Sequence, residues 1–318
     1  MGSSGMDDVG IVIVTYNSAT EIGPCLDAAL ATGAQVIVVD NGSRDSTAAE
    51  TRRRGAQLIA NDANRGFASA ANQGFRALER PFLLLLNPDA VIQTSLEPLR
   101  KACELPRVAG AGGMLLSSAG TPQTGFMVRR FPTPAALALE ALLLNRVWPN
   151  NPVNRRYRAL DLTFRGPVPV EQPAGAFLML RRRIWQELGG FDEGFYPLWF
   201  EDVDFCKRAV DAGRVFYFVP SAVAKHTGGH SIPQLSVEMR RVYWYGSLLR
   251  FTAKHFGPLA YRSMCLAVAA GSVARGLVEA VLDQSLEPMA TCGKVVRLAG
   301  RRFLSGWREE TLSTPPNG

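Results

Sequence analysis

The sequence predicts an α/β fold, a three-layer sandwich with a mostly parallel central sheet, followed by a helical C-terminal region. Two observations predict the sandwich: continuous apolar runs suit strands buried on both faces, and helix-like segments alternate with them from Val9 to Leu86. This alternation is typical of right-handed β-α-β crossovers. A third observation predicts the C-terminal region, because the pattern is entirely helical after Pro233.

Each element of the sandwich has its own signal. The predicted strands are Val9–Thr15, Val36–Asp40, Gln57–Ala60 and Phe82–Leu86, and the helices between them are Ala19–Leu30, Asp45–Arg54 and Gly66–Leu78. Residues 121–169 are rich in Pro and Arg, contain one helix-like segment, Ala135–Val147, and are interpreted as an insertion over the sheet. Strand character returns at Ala174–Leu180 and Arg214–Val219.

Composition excludes several classes of protein. With 47% hydrophobic and 20% charged residues, the chain of 318 residues can bury a core and is not disordered. Its five cysteines are odd in number, widely spaced and form no C-x-x-C pair, which favours a reducing compartment over zinc or a disulfide framework. Residues 1–5 look like a cloning remnant and are left out of the fold prediction. We predict an α/β domain over residues 6–232 and a helical region over residues 233–318.

The net charge of +7 is unevenly distributed. Six arginines and one acid lie between Arg129 and Arg158, and five cations lie between Lys294 and Arg308. Such patches suit nucleic acid, anionic lipid or a phosphate-bearing substrate, although a solvated surface is the common explanation. Nucleic acid is disfavoured because interleaved aromatics and a recognised binding module are both missing.

The segment Leu259–Leu282 is mostly apolar, but its uncharged run spans only 12 residues. That run is short of the ~20 residues that cross a bilayer, so a core or interfacial helix is predicted, in a region that could associate with membranes.

Polar residues follow three of the predicted strands, at Thr15–Asn17, Asp40–Ser43 and Asn87–Asp89. Ligands of open α/β sheets bind at the carboxyl ends of the strands, so we expect a binding site there. The G-x-G-x-x-G and P-loop fingerprints are absent, which also disfavours a nucleotidyltransferase. Asp40 could bind a base or ribose or cap a turn, and Asp89 could bind Mg²⁺ or Mn²⁺ or belong to a simple Asn-Pro turn.

Three carboxylates, Glu201, Asp202 and Asp204, lie where a helix should begin. One of them is a candidate general base, but an acidic first turn that complements the helix dipole explains them equally well. His226 lies in the segment Lys225–Ser231, whose glycines could bring N–H groups to a phosphate, and it could be a second metal ligand.

An ordered set of motifs resembles the family-2 inverting glycosyltransferases, and most of all their bacterial rhamnosyltransferase-like branch. The set consists of Ile13–Asn17, Val38–Thr47, Asn64–Phe67, Leu86–Asp89, Gly189–Glu193 and Phe200–Phe205. The resemblance covers roughly Val9 to Ser231 and implies the fold called GT-A, with residues 121–169 near the acceptor side.

The resemblance also implies roles for individual residues. Donor-binding positions are Thr15, Tyr16, Asn17, Asp40, Asn41, Ser43, Asn64, Gly66, Phe67, Asn72 and Asn87. Acceptor-side positions are Gly175, Ala176, Trp199 and Asp204, the metal positions are Asp89 and His226, and the catalytic positions are Asp202 as base with Glu201 in support. Asn87 stands where the family has the first Asp of its D-x-D motif.

The expected activity is inverting transfer of a sugar, from dTDP-rhamnose or a UDP-linked donor, to a hydroxyl of a lipid-linked or polysaccharide acceptor. We expect a divalent cation (Mg²⁺ or Mn²⁺) as cofactor, no nucleic acid partner, a possible homodimer, and a cytoplasmic location, peripheral at the inner face of the bacterial membrane. The alternative is a non-catalytic sugar-nucleotide-binding or scaffold protein of the same fold.

Overall fold

The computed structural model describes residues 6–228 and 235–306. Unit 1 comprises residues 6–131, 158–193 and 201–228, and unit 2 comprises residues 132–157, 194–200 and 235–306. The predicted insertion is thus divided, since its segment 132–157 groups with the C-terminal helices. Residues 1–5, Gly229, His230 and the predicted boundary at 232 lie outside the described residues.

All the strands of the described residues lie in unit 1. They are β1 (Val9–Thr15), β2 (Gln35–Asp40), β3 (Gln57–Ala60), β4 (Phe82–Leu86), β5 (Ala90–Ile92), β6 (Val108–Leu116), β7 (Val128–Arg129), β8 (Val168–Val170), β9 (Gln172–Pro173), β10 (Phe177–Arg181) and β11 (Val215–His226).

The helices are shared between the two units. Unit 1 contains α1 (Ile22–Leu30), α2 (Thr47–Arg53), α3 (Phe67–Ala77), α4 (Glu97–Glu104), α8 (Arg182–Glu187) and α9 (Glu201–Asp211). Unit 2 contains α5 (Pro134–Ala141), α6 (Leu144–Val147), α7 (Pro152–Tyr157), α10 (Val237–His255), α11 (Pro258–Leu282) and α12 (Glu287–Ser305).

The main sheet has the order β3-β2-β1-β4-β10-β6-β11-β5, with β8 paired to β11. Strands β1, β2, β3, β4, β6 and β11 run in one direction, and β5, β8 and β10 run against them. The predicted α/β class, with a mostly parallel sheet and C-terminal helices, is confirmed. The short strands β7 and β9 form a separate antiparallel pair.

The buried core lies on both faces of the sheet. Every residue of β1 is buried, and its side chains alternate between the two core clusters: Ile11 and Ile13 belong to one, Val12 and Val14 to the other. Because β1 pairs with β2 on one side and β4 on the other, its backbone N–H and C=O groups are hydrogen-bonded while both of its faces are buried. This explains why an unbroken apolar run predicted the strand.

Strand β6, which the sequence analysis missed, lies between β10 and β11 and is rich in glycine. A Cβ at Gly113 would lie 2.3 Å from the Phe177 ring, and one at Gly110 would lie 2.5 Å from the Met179 carbonyl oxygen. Only glycine therefore fits at these close approaches, although glycine weakens the sequence signal of a strand.

The regular secondary structure of unit 2 is all helical in its described residues. The predicted helix Ala135–Val147 is two helices, because Leu143 adopts a left-handed conformation (φ 63°) between α5 and α6. Helix α11 packs closely on α5, where a Cβ at Gly271 would lie 1.9 Å from the Ala141 carbonyl oxygen. By length and composition α11 could cross a membrane, with 28% of its most apolar window buried.

Candidate active site

Thr15, Asp40 and Ser43 form one hydrogen-bonded group at the carboxyl ends of β1 and β2. Thr15 lies opposite Asp40 in the sheet and donates from Oγ1 to Asp40 Oδ1 at 3.0 Å. The Ser43 hydroxyl donates to the same oxygen, and Asn17 N–H donates to Ser43 Oγ at 2.8 Å. Tyr16, between them in the chain, is half-buried. Residues from two of the three predicted strand ends are thus brought together.

Asn41, directly after β2, hydrogen-bonds to the loop that precedes α3. Its Nδ2 donates to Asn64 Oδ1 at 2.9 Å and to the Gly66 carbonyl at 3.2 Å, while its Oδ1 accepts from Arg65 N–H at 3.0 Å. Gly66 has φ 86°, which favours glycine, and the half-buried Phe67 begins α3 directly after it. The predicted donor residues of this loop therefore adjoin the strand-end group.

Asn72 is set apart from these donor residues. It is 1% exposed, its Nδ2 donates to the Phe191 carbonyl at 2.8 Å and to Glu193 Oε1 at 2.9 Å, and its Oδ1 accepts from Phe191 N–H. We expected this side chain to shape the nucleotide pocket. Its hydrogen bonds hold the segment that ends at Glu193, because a buried amide needs protein partners, and its role in the nucleotide pocket stays a prediction.

Asp204, predicted on the acceptor side, pairs with an arginine of its own helix. Its carboxylate is fully buried and accepts from Arg208 Nε at 2.8 Å, one helical turn along α9. The same guanidinium donates to the carbonyls of Leu188 and Gly190, each at 2.7 Å. Asp204 therefore orients the arginine that fixes the loop before Phe191, since a buried carboxylate requires a cationic partner.

Asn87, Asp89 and His226 meet where β4 ends and β11 ends. Asp89 Oδ1 lies 3.5 Å from His226 Nε2, and Asn87 Nδ2 lies 3.4 Å from the same nitrogen. Asp89 Oδ2 accepts from Gly228 N–H at 2.7 Å. His226 is the last residue of β11, because β11 continues past the predicted end at Val219 through a register shift. Burial lowers the pKa of His226, while the nearby Asp89 opposes that shift.

These residues fit a divalent cation. A carboxylate oxygen and an imidazole nitrogen 3.5 Å apart are both electron-rich when the imidazole is neutral, so a positive charge close to both would stabilise them. Carboxylate with imidazole suits Mn²⁺ better than Mg²⁺. The described residues contain no group of three or more His, Cys, Asp or Glu that could hold a metal, so a cation here would need substrate oxygens as further ligands.

Asp202 is held by two backbone amides. Gly175 N–H donates to its Oδ2 at 2.9 Å, and Val203 N–H donates to its Oδ1 at 2.8 Å. Burial raises the pKa of this carboxyl, and the two amides and the charge of Arg129 partly oppose that shift. A Cβ at Gly175 would lie 3.1 Å from Asp202 Oδ2, so glycine allows this approach. Sequence reasoning did not single out Arg129 at this site.

The residues just before Asp202 in the chain combine burial with an unusual backbone conformation. Glu201 is 7% exposed at the start of α9. The two residues before Glu201 have left-handed backbone conformations: Trp199, which belongs to unit 2, has φ 78°, and Phe200 has φ 72°. Two successive bulky residues with left-handed φ are rare and strained, and such strain occurs most often near functional sites.

A short path of contacts links Asp202 to the Asp89 group. Gly175 bonds Asp202, and the carbonyl of the next residue, Ala176, accepts from Asn87 N–H at 3.0 Å. Asn87 in turn contacts His226, which lies beside Asp89. The structure thus brings together one candidate base and two candidate metal ligands around the start of β10.

Known proteins share this architecture. One similar structure is the mannosyltransferase PcManGT from Pyrobaculum calidifontis, solved with GDP-Man and Mn²⁺. The similarity covers 97% of this chain and 84% of that protein, with 18% identity and a TM-score of 0.52. GalNAc-T7, solved with UDP, GalNAc and Mn²⁺, is similar over 77% of this chain and 49% of its own, with 16% identity and a TM-score of 0.53. Both likenesses confirm the GT-A fold.

Sequence relatives are more specific. An N-acetylglucosaminyl-diphospho-decaprenol L-rhamnosyltransferase of Mycobacterium tuberculosis is 29% identical over 81% of this chain and 92% of its own length. Rhamnosyltransferase WbbL of Escherichia coli is 26% identical over 49% of this chain and 56% of its own. The family model described as glycosyl transferase family 2 matches residues 10–188. The chain therefore belongs to glycosyl transferase family 2, in its rhamnosyltransferase-like branch, and is a glycosyltransferase.

Proposed function

We propose that this enzyme transfers rhamnose from dTDP-rhamnose, with inversion, to a hydroxyl group of a lipid-linked or polysaccharide acceptor, and that Asp202 is the general base. The observation that carries the proposal is the path of contacts from Asp202 through Gly175 and Ala176 to Asn87. A base on one side of this turn and diphosphate-binding residues on the other are what a single displacement needs. The name of the mycobacterial relative supports both the sugar and a lipid diphosphate acceptor.

Asp202 removes the proton of the attacking hydroxyl group. A general base works best when its pKa lies near the working pH, and burial raises the pKa of Asp202 in that direction. The amides of Gly175 and Val203 hold the carboxylate in a fixed orientation. Gly175, Ala176 and Trp199 are the proposed acceptor-side residues, and Glu201 supports the base at the start of its helix.

The donor lies at the carboxyl ends of β1, β2 and β4. Asp40, oriented by Thr15 and Ser43, binds the base or the ribose. Asp89 and His226 would hold the divalent cation, which when bound neutralises charge on the diphosphate leaving group. Asn87 contributes an amide at the position where the family has the first aspartate of its D-x-D motif.

The exposed face of α11 supports contact with a membrane. Large apolar residues recur on this face at helical spacing, namely Leu259, Leu266, Val273, Leu277 and Val281, and Val278 and Leu282 are exposed beside them. Leu259 and Val281 are 81% and 76% exposed, so this stripe extends along nearly the whole helix, about 37 Å at 1.5 Å per residue. Apolar faces of this size mark interaction sites.

The charge of the chain favours an anionic lipid surface as the partner of this stripe. The sequence segments 132–157, 194–200 and 234–318 hold 14 of the 35 Lys and Arg residues but only seven of the 28 Asp and Glu residues. The whole formal charge of +7 therefore falls in these segments, and the rest of the chain is neutral. We propose a cytoplasmic enzyme that is peripheral to the inner face of the bacterial membrane, where basic segments gain about 1 kcal/mol per cation near the surface.

Vesicle flotation tests the membrane contact. The parent protein should float with vesicles that contain anionic lipid and much less with neutral vesicles. The variant Leu277→Glu/Val281→Glu should lose flotation, whereas Leu105→Glu, a matched change at an exposed leucine of unit 1, should not. A parent protein that ignores anionic vesicles contradicts the proposal. A homodimer stays a prediction, which sedimentation velocity tests.

The reaction itself is tested with purified enzyme and a panel of donors. We expect product from dTDP-rhamnose and a polyprenyl-diphosphate acceptor in the presence of Mn²⁺ or Mg²⁺, and an anomeric configuration opposite to that of the donor by NMR. UDP- and GDP-sugars should be poorer donors. Retention of configuration in the product would reject inverting transfer. Donor binding without transfer to any hydroxyl acceptor would favour the non-catalytic alternative.

A further inference from the structure

Gln123 is a half-buried residue outside every predicted site, and its side chain contacts His226 at two points. Its Nε2 donates to the His226 backbone carbonyl at 2.8 Å, and its Oε1 lies 2.9 Å from His226 Nδ1. The backbone of Gln123 is fixed as well, because its N–H donates to the Leu115 carbonyl and its carbonyl accepts from Phe126 and Met127. The Phe126 ring stacks on the imidazole, with centroids 5.3 Å apart and planes 7° apart.

The contact with a carbonyl decides how the Gln123 amide is oriented. A carbonyl oxygen can only accept a hydrogen bond, so Nε2 must face it, and Oε1 must then face His226 Nδ1. Oε1 is also only an acceptor, so Nδ1 must carry the ring proton. When the imidazole is neutral it has this one N–H, and His226 Nε2 then carries a lone pair. That lone pair lies 3.5 Å from Asp89 Oδ1.

We propose that Gln123 is a positioning residue, which fixes His226 as the Nδ1–H tautomer and so presents Nε2 as a ligand to a divalent cation held together with Asp89. The hydrogen bond that a ligand histidine makes through its other nitrogen sets the tautomer and the ring orientation. Loss of such a partner lowers metal affinity by about 10–100-fold. The inference rests on the proposed function for the presence of the cation, but the tautomer is a property of the protein alone.

Two variants separate the tautomer role from a merely structural one. Gln123→Leu removes both hydrogen bonds, whereas Gln123→Glu keeps an acceptor at Nδ1, loses the donor to the His226 carbonyl and adds a negative charge. If Gln123 acted only by holding the chain at His226, both variants would fail equally. Gln93→Leu is the matched control, because Gln93 is exposed and its Nε2 bonds the Val91 carbonyl.

The first measurement is the tautomer of His226 in the full chain without added metal, by long-range ¹H–¹⁵N NMR of the imidazoles. The chain has three histidines, so His230→Asn and His255→Asn assign the signals. The second measurement is Mn²⁺ affinity by calorimetry. We expect the Nδ1–H form in the parent, in Gln123→Glu and in Gln93→Leu. Gln123→Leu should show a mixture of tautomers and a Kd for Mn²⁺ raised about 10–100-fold, while Gln123→Glu stays near the parent value.

Three results overturn the proposal: an Nε2–H tautomer in the parent, an unchanged tautomer in Gln123→Leu, or equal loss of Mn²⁺ affinity in the Leu and Glu variants. A parent that keeps the Nδ1–H form but binds no Mn²⁺ would reject the cation, and with it the ligand role of His226. A parent that binds Mn²⁺ with the expected tautomer but transfers no sugar would leave the positioning role standing and reject the proposed function.

Discussion

The replacement Asp202→Asn tests the proposed base most directly. The amide has nearly the shape of the carboxylate but cannot take a proton from a hydroxyl group at neutral pH. General-base catalysis contributes about 10²–10⁴-fold, so we expect the transfer rate to fall by that factor. Donor affinity should be unchanged, because the Asp202 carboxylate accepts from the Gly175 and Val203 amides, which are not part of the strand-end group.

The structure also predicts the effect of this variant on stability. Both Asp202 oxygens accept backbone N–H groups, whereas asparagine has one oxygen, so one amide would face an NH₂ group. A lost hydrogen bond of this kind costs about 1–3 kcal/mol. Removal of the carboxylate offsets part of this cost, because burial disfavours the charge. We expect a net loss of about 1 kcal/mol, or about 2–4 °C in Tm.

The pH profile gives the sign of the effect. The base acts only when ionised, so the rate should rise with pH through the Asp202 pKa, and because that pKa is raised, the rise should lie above the pH range of an ordinary carboxyl. The folded state should also lose stability as the pH rises from the ordinary carboxyl pKa to the raised pKa of Asp202. At lower pH the carboxyl is protonated, and the cost of burying its charge is absent.

The assay is steady-state transfer across pH, with donor affinity from calorimetry and Tm from calorimetric melting. Asp211→Asn is the matched control, because Asp211 lies on the same helix and its carboxylate pairs with Lys207 at the surface. That pair should contribute at most about 1 kcal/mol and nothing to the rate. A variant Asp202→Asn that keeps more than a tenth of the parent rate would refute the assignment of the base.

Three further predictions follow from single contacts. Asp89→Asn keeps the shape of the side chain but removes its charge, and calorimetry should show Mn²⁺ affinity lowered by about tenfold or more; an unchanged Kd would contradict the ligand role. Asp204→Asn leaves the Arg208 cation facing a neutral amide, and urea unfolding should show a loss of about 3 kcal/mol, at the lower end for a buried pair because Arg208 is 21% exposed, with donor affinity intact. Gly175→Ala places a methyl group 3.1 Å from Asp202 Oδ2, and the rate should fall by about tenfold at unchanged donor affinity, whereas a parent-like rate would show that the carboxylate tolerates displacement.

The sequence predicted the elements whose strands are buried on both faces. Strand β1 is an unbroken apolar run with the bounds that the structure has, because parallel neighbours leave it no solvent face. Strand β6 was missed because three of its residues are glycines that close packing requires. The end of β11 was missed because Pro220 interrupts its signal. Strand predictions from the apolar pattern fail where tertiary packing requires a residue type that is unusual in strands.

The candidate site shows the same limit. The residue pattern identified the acidic cluster, but only the family resemblance assigned Asp202 as the base and Asp204 to the acceptor side. The pattern alone could not do so, because the partners of these two carboxylates lie far away in the chain or one helical turn away. One signal was available: Arg208 lies four residues after Asp204, at the spacing of a helical ion pair. Gln123 gave no signal, since a glutamine in a polar loop has no recognisable pattern and only its contacts with His226 reveal it.

The turn before β10 has a consequence for the choice of acceptor. Gly175 N–H and the Ala176 carbonyl belong to adjacent residues, and one contacts the proposed base while the other contacts the residue beside the proposed cation ligands. The separation between the two halves of the reaction is therefore set by backbone of fixed length and not by flexible side chains. Relatives that use larger or smaller acceptors would have to accommodate them elsewhere, because any change of this spacer alters the alignment of attack and departure together.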